Sequence, residues 1–305
     1  MRGVGGLPSW VRVRLPGGIV AMATHRTLDR ERLHTVCEEA RCPNQGECWA
    51  AGTATLMILG DRCTRSCRFC AVASAREGRP LDPTEPERIA RLVGEAGLRY
   101  VVVTSVDRDD LPDLGAGHFR KVLDALKALD PPPRVELLIP DYRGDRLRVV
   151  LDGGPDVLAH NLETIRRLTP VVRDRRSSYD HSLEVLREAR EHDPSLWTKS
   201  SIMLGLGETM DEVLEAMTDL RGAGVRILTL GQYLRPTARH LPVARWWTPD
   251  EFAELERLAR GMGFDFVASG PLVRSSYRAA ELFLEGRLSG GPAARTSVAD
   301  RSPPQ

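Results

Sequence analysis

The chain lacks cysteine over nine-tenths of its length, because all six of its cysteines lie between positions 37 and 70. A chain of 305 residues can bury a sizeable core without disulfides. The small secreted scaffolds that depend on disulfides spread their cysteines along the chain instead. Crowded thiols in a chain without a secretory signal indicate metal binding or redox catalysis in a reducing compartment.

The chain also has little lysine and no long apolar run. Only three of its 43 basic residues are lysine, and 43 basic against 42 acidic side chains leave a formal charge of +1. This balance argues against a protein that coats nucleic acid. No apolar stretch approaches the roughly 20 residues that span a bilayer, and arginine, glycine and proline interrupt the first twenty residues, unlike a secretory signal. We expect a cytoplasmic protein with neither a nucleic-acid partner nor a membrane partner.

Strand and helix patterns alternate through most of the chain. Strands are predicted at Thr55–Leu59, Tyr100–Thr104, Val135–Ile139, Asp156–His160, Thr198–Leu204 and Val225–Leu230, and helices near 85–96, 116–129, 145–151, 161–168, 180–192 and 209–222. A further helix near 249–261 and a short strand at Asp265–Ala268 follow. Six β-α units predict a parallel sheet, either open and doubly wound or curled like a barrel. Ligands gather at the carboxyl ends of the strands in both cases.

The second of two cysteine triplets follows the first predicted strand directly. It consists of Cys63, Cys67 and Cys70 in the spacing C-x3-C-x2-C. A [4Fe–4S] cluster normally takes four thiolates, so three thiolates leave one iron open to an outside ligand. Structural zinc is the alternative, but it takes four protein ligands, and no fourth cysteine or histidine follows nearby. The spacing therefore favours an open iron–sulfur cluster.

The motif C-x3-C-x-aromatic-C after the first strand of a β-α repeat resembles the radical S-adenosylmethionine (SAM) superfamily. The resemblance implies an α/β fold, a partial (β/α)6 barrel related to the TIM barrel, with N-terminal and C-terminal extensions. It implies a cluster whose open iron is chelated by the amino and carboxylate groups of SAM. It also implies reductive cleavage of SAM to a 5′-deoxyadenosyl radical, which abstracts hydrogen from unactivated carbon.

The first triplet is also one ligand short. It consists of Cys37, Cys42 and Cys48 in the spacing C-x4-C-x5-C, and no cysteine remains to complete either triplet. The missing ligand must come from SAM, from a substrate or from a harder side chain. An oxygen ligand to iron would be weaker than a thiolate and would leave that cluster labile.

Several longer strings carry a closer resemblance, to the lipoyl synthase family. They are HTVCEEARCPN at 34–44, TSVDRDDL at 104–111, IPDYRGD at 139–145, HNLET at 160–164, GLGET at 205–209, QYLRP at 232–236 and SGPLVRSSY at 269–277. The resemblance runs from about residue 8 to about residue 284. It implies a sulfurtransferase that inserts two sulfur atoms, at C6 and C8, into a protein-bound octanoyl-lysine. An auxiliary [4Fe–4S] cluster on the first triplet would donate the sulfur, and two SAM molecules would be consumed per lipoyl group.

The resemblance also implies the fourth ligand of the auxiliary cluster. This ligand is the serine that precedes the tyrosine in Arg-Ser-Ser-Tyr. In this sequence the serine is Ser276, and it is predicted to be catalytic because the reaction consumes the cluster that it holds. The same string occurs at 176–179 without the preceding Ser-Gly-Pro-Leu-Val. We interpret that copy, with Ser178, as a chance arrangement that caps a helix.

The contacts to SAM implied by the resemblance lie at strand ends. They are Thr104 and Ser105 for the amino group, Asn161 and Glu163 for the ribose hydroxyls, and Gly205 and Glu208 of the G-x-I-x-G-x-x-E pattern for the adenine. Lys199 lies inside a predicted strand, and as one of only three lysines in an arginine-rich chain it is predicted to be a functional amine that contacts SAM. Ser201 replaces the first glycine of that pattern. Structural alternatives exist: Asn161 as a helix cap, Gly205 as a turn residue and Lys199 as a satisfied amine. The acidic run at 107–110 could position substrate, but a solvated loop is favoured.

Composition and the resemblance together divide the chain into four parts. They are an N-terminal extension at 1–53 with the auxiliary cysteines, a radical SAM core at 54–263, a C-terminal extension at 264–288 and a disordered tail at 289–305. Implied partners are octanoylated carrier domains (2-oxoacid dehydrogenase E2 subunits and the glycine cleavage H protein), an electron donor such as ferredoxin or flavodoxin, and an iron–sulfur carrier protein. The main alternative is another two-cluster radical SAM enzyme whose auxiliary cluster is not sacrificed. An iron–sulfur electron carrier, a redox sensor and a zinc-binding module are weaker alternatives.

Overall fold

The computed structural model describes most of the chain from the first long strand onward. The described residues are 7–11, 28, 30, 31, 33–39, 44, 45, 48 and 53–276. Cys42 and the tail at 289–305, predicted to be disordered, lie outside these residues. Cys37 lies in a described helix, but its side chain is outside the description.

Strands and helices alternate along the described residues. The strands are β1 His34–Thr35, β2 Thr53–Ile58, β3 Arg62–Cys63, β4 Ala73–Ser74, β5 Tyr100–Ser105, β6 Arg134–Leu138, β7 Val157–Ala159, β8 Trp197–Leu204, β9 Ile227–Gln232 and β10 Phe266–Gly270. The helices are α1 Val36–Glu39, α2 Glu85–Ala96, α3 Ala116–Lys127, α4 Asp145–Leu151, α5 Thr169–Val172, α6 Tyr179–His192, α7 Met210–Gly222 and α8 Pro249–Gly261. None of the helices in this part of the chain is long and apolar enough to cross a membrane.

Eight strands form one sheet in the order β1-β2-β5-β6-β7-β8-β9-β10. Strand β1 is antiparallel to β2, and every other neighbouring pair is parallel. The residues of β2, β7 and β9 are buried throughout, as in a parallel sheet with both faces covered. The predicted α/β alternation is confirmed, including the last helix and strand. The short antiparallel strand β1 was not predicted.

Local sequence signals account for several helix ends. Helix α2 has Pro86 in its first turn and ends at Gly97, which has a left-handed φ of 61°. Helices α7 and α8 begin with capping boxes, in which Thr209 pairs with Glu212 and Thr248 with Glu251. These signals fix where α2 ends and where α7 and α8 begin.

The prediction of a helix at 161–168 is wrong. Glu163 has a left-handed φ of 69° and pairs with Ile202 of β8, which is incompatible with a helix at this position. Its N–H donates to the Ser201 carbonyl, and its own carbonyl accepts from the Met203 N–H, each at 2.9 Å. The apolar spacing that suggested a helix belongs to buried loop residues, and the short helix α5 begins only at Thr169.

Candidate active site

A cavity of about 510 Å³ lies at the carboxyl ends of the parallel strands. The loops that follow β2, β5, β6, β7 and β9 line it, together with the segment after β10. Part of the N-terminal segment, including Asn44, closes the wall. The cysteines on the wall belong to both triplets: Cys48 from the first, and Cys63, Cys67 and Cys70 from the second. Ser276 lies on the same wall.

Backbone amides surround the sulfurs of the second triplet. The N–H groups of Arg65 and Asp107 donate to Cys63 Sγ at 3.4 and 3.3 Å. The N–H of Asp174 donates to Cys67 Sγ at 3.3 Å. Donors of this kind stabilise a thiolate and tune the potential of an iron–sulfur cluster. The loop can therefore stabilise cysteine thiolates.

Burial raises the pKa of all three thiols of this triplet. It reaches about 11 for Cys63, about 12 for Cys67 and about 11 for Cys70. Three half-buried thiols with raised pKa values on one cavity wall need a cation to ionise at neutral pH, and a coordinating metal deprotonates a thiol outright. The donor set, three sulfurs with amide donors and an open cavity in front of them, fits a [4Fe–4S] cluster with one free iron.

A buried ionic network supports the loop from behind. Arg65, 7% exposed, lies among Asp107, Asp109 and Asp141, with contacts of 3.5 Å to Asp107 and 3.1 Å to Asp109. Burial opposes ionisation of Asp141, but His160 and Arg65 outweigh it and hold its pKa well below the usual range. Burial raises the pKa of Asp107 despite the neighbouring Arg65. For Asp107 the expectation of a solvated loop is wrong, because it lies on the cavity wall beside Cys63.

Four of the predicted SAM contacts line the cavity: Thr104, Ser105, Asn161 and Glu163. The Ser105 hydroxyl and the Asn161 side-chain oxygen are buried and have no hydrogen-bond partner among the described residues. Buried polar atoms without a partner are rare in folded proteins, so a polar ligand fits here. Burial raises the pKa of Glu163, whose Oε1 accepts from Asn161 Nδ2 at 3.0 Å.

Lys199 does not line the cavity, and its contact with SAM stays a prediction. Its Nζ lies 2.8 and 2.9 Å from the two carboxylate oxygens of Glu136, and both side chains are almost completely buried. The Tyr100 hydroxyl donates to the same carboxylate at 2.7 Å. The amine is thus held by an internal ion pair, away from the ligand space.

Gly205 and Glu208 also lie outside the cavity wall, and their contacts with SAM stay predictions. A Cβ at Gly205, where φ is 103°, would lie 2.1 Å from the Gln232 side chain. The Glu208 carboxylate accepts from the backbone N–H groups of Gly205 and Leu206 and from the Trp247 indole at 2.7 Å. Both residues build the turn that supports Gln232, which does line the cavity.

The ionisable wall residues that sequence reasoning missed include His160, Asp141 and Arg173. His160 Nδ1 lies 2.9 Å from the Ile139 carbonyl, and its Nε2 lies 3.3 Å from Asp141 Oδ1. Asp141 follows one predicted strand closely, and His160 is the last residue of another. Their positions at the carboxyl ends of strands were the signal that could have indicated them.

The first copy of Arg-Ser-Ser-Tyr has the structural role predicted for it. Ser178 is the N-cap of α6, and its hydroxyl accepts from the His181 N–H. Ser177, just before it, lines the cavity and accepts from Arg65 at 3.3 Å, which the sequence did not indicate.

The N-terminal and C-terminal segments meet beside the cavity. The Asn44 side-chain amide donates to the Leu272 carbonyl at 2.6 Å. Arg274 donates to the Gln232 carbonyl at 3.3 Å, which ties the last described segment to the end of β9. These contacts hold the neighbourhoods of Cys48 and Ser276 against the barrel.

The fold and the open cysteine site define a class of enzymes. Residues 57–220 match the model of the Radical SAM superfamily. The solved FeFe-hydrogenase maturase HydG from Carboxydothermus hydrogenoformans has a similar fold, with a TM-score of 0.56 at 12% identity, covering 81% of this chain and 64% of that one. Methylornithine synthase gives a TM-score of 0.53 at 12% identity, covering 90% and 88%. The partial-barrel α/β fold of radical SAM enzymes is thereby confirmed.

Close relatives define the family within that class. Lipoyl synthase of Anaeromyxobacter sp. (strain Fw109-5) is 58% identical, covering 93% of this chain and 97% of that one. Lipoyl synthase of Thermus thermophilus is 55% identical, covering 91% and 87%. The mitochondrial lipoyl synthase of Arabidopsis thaliana is 49% identical, covering 95% and 80%. The chain therefore belongs to the lipoyl synthase family of radical SAM enzymes, which use SAM and a [4Fe–4S] cluster.

Proposed function

We propose that this chain inserts two sulfur atoms, at C6 and C8, into an octanoyl-lysine on a carrier domain and so forms the lipoyl group. One observation carries the proposal: Cys48, the second triplet and Ser276 line a single cavity. A substrate chain between two clusters could meet both the radical and the sulfur source there. Family membership supports the same reaction.

The cysteines and Ser276 would hold the two clusters. Cys63, Cys67 and Cys70 are proposed as ligands of the cluster that binds SAM, and Cys37, Cys42, Cys48 and Ser276 as ligands of the auxiliary cluster. When bound, the clusters and SAM supply the radical and the sulfur, chemistry that side chains cannot perform on an unactivated C–H bond.

The chain's own groups would bind and orient the reactants. Thr104, Ser105, Asn161 and Glu163 present polar atoms to the cavity and are proposed to hold SAM. Met57, Leu138, Ile202 and Met203 present apolar surface to the same space, which suits an octanoyl chain and excludes water from the reacting carbons.

The organisation and partners of the chain follow from this proposal. Residues 1–53 and 264–288 would be cluster-bearing extensions of the core at 54–263. Family membership implies an octanoylated lipoyl domain as substrate, and we propose the E2 and H-protein domains, a ferredoxin or flavodoxin, and an iron–sulfur carrier as the individual partners. A cytoplasmic location is proposed from the sequence, and the curated relatives include bacterial and mitochondrial proteins.

The test is mass spectrometry on an anaerobic assay with reconstituted protein, SAM, a reductant and an octanoyl-lysine peptide. A gain of two sulfur atoms with release of 5′-deoxyadenosine is the expected result. If the auxiliary cluster is the donor, protein reconstituted with ³⁴S should transfer ³⁴S to the peptide. Transfer of unlabelled sulfur only, or deoxyadenosine without any sulfur transfer, would contradict the proposal and favour a two-cluster enzyme that keeps its auxiliary cluster.

The two copies of Arg-Ser-Ser-Tyr provide a matched pair of variants. Ser276→Ala should abolish sulfur transfer while SAM cleavage continues, because only the proposed auxiliary ligand is removed. Ser178→Ala should lose a helix cap worth about 1 kcal/mol of stability and keep both activities. Equal sulfur transfer by the two variants would exclude Ser276 as a required ligand.

A further inference from the structure

We propose that an arginine-rich rim beside the cavity mouth docks an acidic surface of the protein that carries the acylated lysine; the inference rests on the function proposed above. The rim consists of three segments, 66–72, 171–176 and 235–241. They contain six arginines and one aspartate, a net charge of +5, whereas the whole chain has a net charge of only +1.

Hydrogen bonds hold the three segments together. The Arg68 N–H donates to the Val172 carbonyl at 2.9 Å, and the Arg68 carbonyl accepts from the Leu241 N–H at 3.2 Å. His240 Nε2 lies 2.9 Å from the Cys70 carbonyl. Each segment also contributes to the cavity wall, through Phe69, Arg173 and Arg235 respectively. The rim is therefore continuous with the cavity mouth.

Carboxylates of the described residues neutralise the charge of the rim only in part: Arg173 lies 3.8 Å from Asp141, and Arg176 lies 3.1 Å from Asp109. The one aspartate, Asp174, is paired with Arg176 at 2.8 Å. Arg175 and Arg239 are exposed, with no carboxylate partner in the part of the chain that the structure describes. Arg68 and Arg235 bind only backbone carbonyls. Most exposed arginines in the other described segments have a carboxylate partner, so the rim differs from them.

An exposed apolar side chain lies within the same rim. Val171 is 49% exposed, one of the few large hydrophobic residues on the described surface. An apolar contact surrounded by charges is the usual anatomy of a transient protein interface. Charge complementarity then identifies the partner: a protein with carboxylates around its modified lysine, which the rim orients so that the acyl chain enters the cavity.

The experiment compares two substrates of the reconstituted enzyme, an octanoylated carrier domain and a short octanoyl-lysine peptide without acidic residues. The double variant Arg175→Glu/Arg239→Glu should lower the kcat/KM ratio of domain to peptide by about tenfold at low salt, since charge pairs at an interface rim act mainly on association. Added salt should reduce the wild-type ratio as well. The matched control Arg187→Glu, an exposed arginine on α6 with no carboxylate partner among the described residues, should keep the wild-type ratio.

The outcomes separate this proposal from the proposed function. If the double variant transferred sulfur to both substrates with an unchanged kcat/KM ratio of domain to peptide, the docking role of the rim would be wrong and the proposed function would stand. Failure of wild-type enzyme to modify either substrate would overturn both. Binding of the octanoylated domain, measured by fluorescence anisotropy without turnover, should weaken about tenfold in the double variant, and unchanged binding would also overturn the rim.

Discussion

At the scale of single residues, Lys199 shows that burial in an ion pair can give an amine a structural role. Lys199 is one of three lysines in an arginine-rich chain, which suggested a functional group. In the folded protein its partner is Glu136, with Tyr100 completing the carboxylate's hydrogen bonds. A buried pair of this kind holds the fold in one arrangement, because either charge alone inside the protein is costly.

We predict that Lys199→Met lowers the free energy of unfolding by about 3–5 kcal/mol, because it leaves Glu136 buried without its partner. The double variant Lys199→Met/Glu136→Gln should recover most of that loss. Urea unfolding of the two variants measures the difference. The double variant, loaded with its clusters, should bind SAM as tightly as the wild type. If it were as stable as the wild type but bound SAM much more weakly, Lys199 would be a SAM contact.

At the scale of elements, Asp156 joins three neighbours at the start of β7. Its carboxylate lies 2.7 Å from Lys127 at the end of α3 and 2.7 Å from Arg134 of β6, and it accepts from the Val135 N–H at 2.9 Å. Burial opposes its ionisation, but the hydrogen bond and charge of Lys127, with the other partners, lower its pKa overall. One carboxylate thus fixes the register at which a helix and two strands meet.

We predict that Asp156→Asn lowers the free energy of unfolding by about 1–3 kcal/mol at pH 7, because it removes charge-assisted hydrogen bonds. A lowered pKa in the folded state means that this stabilisation is complete above the carboxyl's ordinary pKa of about 4 and is lost as the pH falls through the folded value. The gap between wild type and variant should therefore stay constant from pH 8 to 5 and narrow below about pH 4. Urea unfolding across this range measures it, and Asp145→Asn, at an exposed position, should show a gap within about 0.5 kcal/mol. A gap that widens in acid would contradict the assignment.

At the scale of the whole molecule, the two ends of the chain complete a site that the barrel alone does not contain. Cys48 and Ser276 are 228 positions apart in the sequence and line the same cavity. The contact between Asn44 and the Leu272 carbonyl joins their segments directly. The proposed auxiliary cluster should therefore depend on how these two segments pack against the barrel, whereas the cysteines of the second triplet all lie on one loop.

We predict that Asn44→Ala lowers the iron content of the reconstituted protein from about eight toward about four atoms per chain, since two [4Fe–4S] clusters hold eight irons. SAM cleavage should persist while sulfur transfer falls. Iron analysis with electron paramagnetic resonance measures both clusters, and Gln45→Ala is the control from the same segment. Parallel loss of both clusters would indicate a general folding defect instead.

The sequence by itself determined the features that are local in the chain. The alternation of strands and helices, the cysteine spacing and the Ser178 cap each depend on residues a few positions apart, so periodicity and motif reveal them. The same reasoning failed at 161–168, because pairing of Glu163 with β8 is a contact between distant segments. Only the tertiary structure decided which residues face the cavity: it brought Asp107, Asp141 and His160 to the wall and assigned Lys199, Gly205 and Glu208 to internal partners. The physical reason is that burial and ion pairing depend on which distant segments the fold brings together, and no local pattern records that.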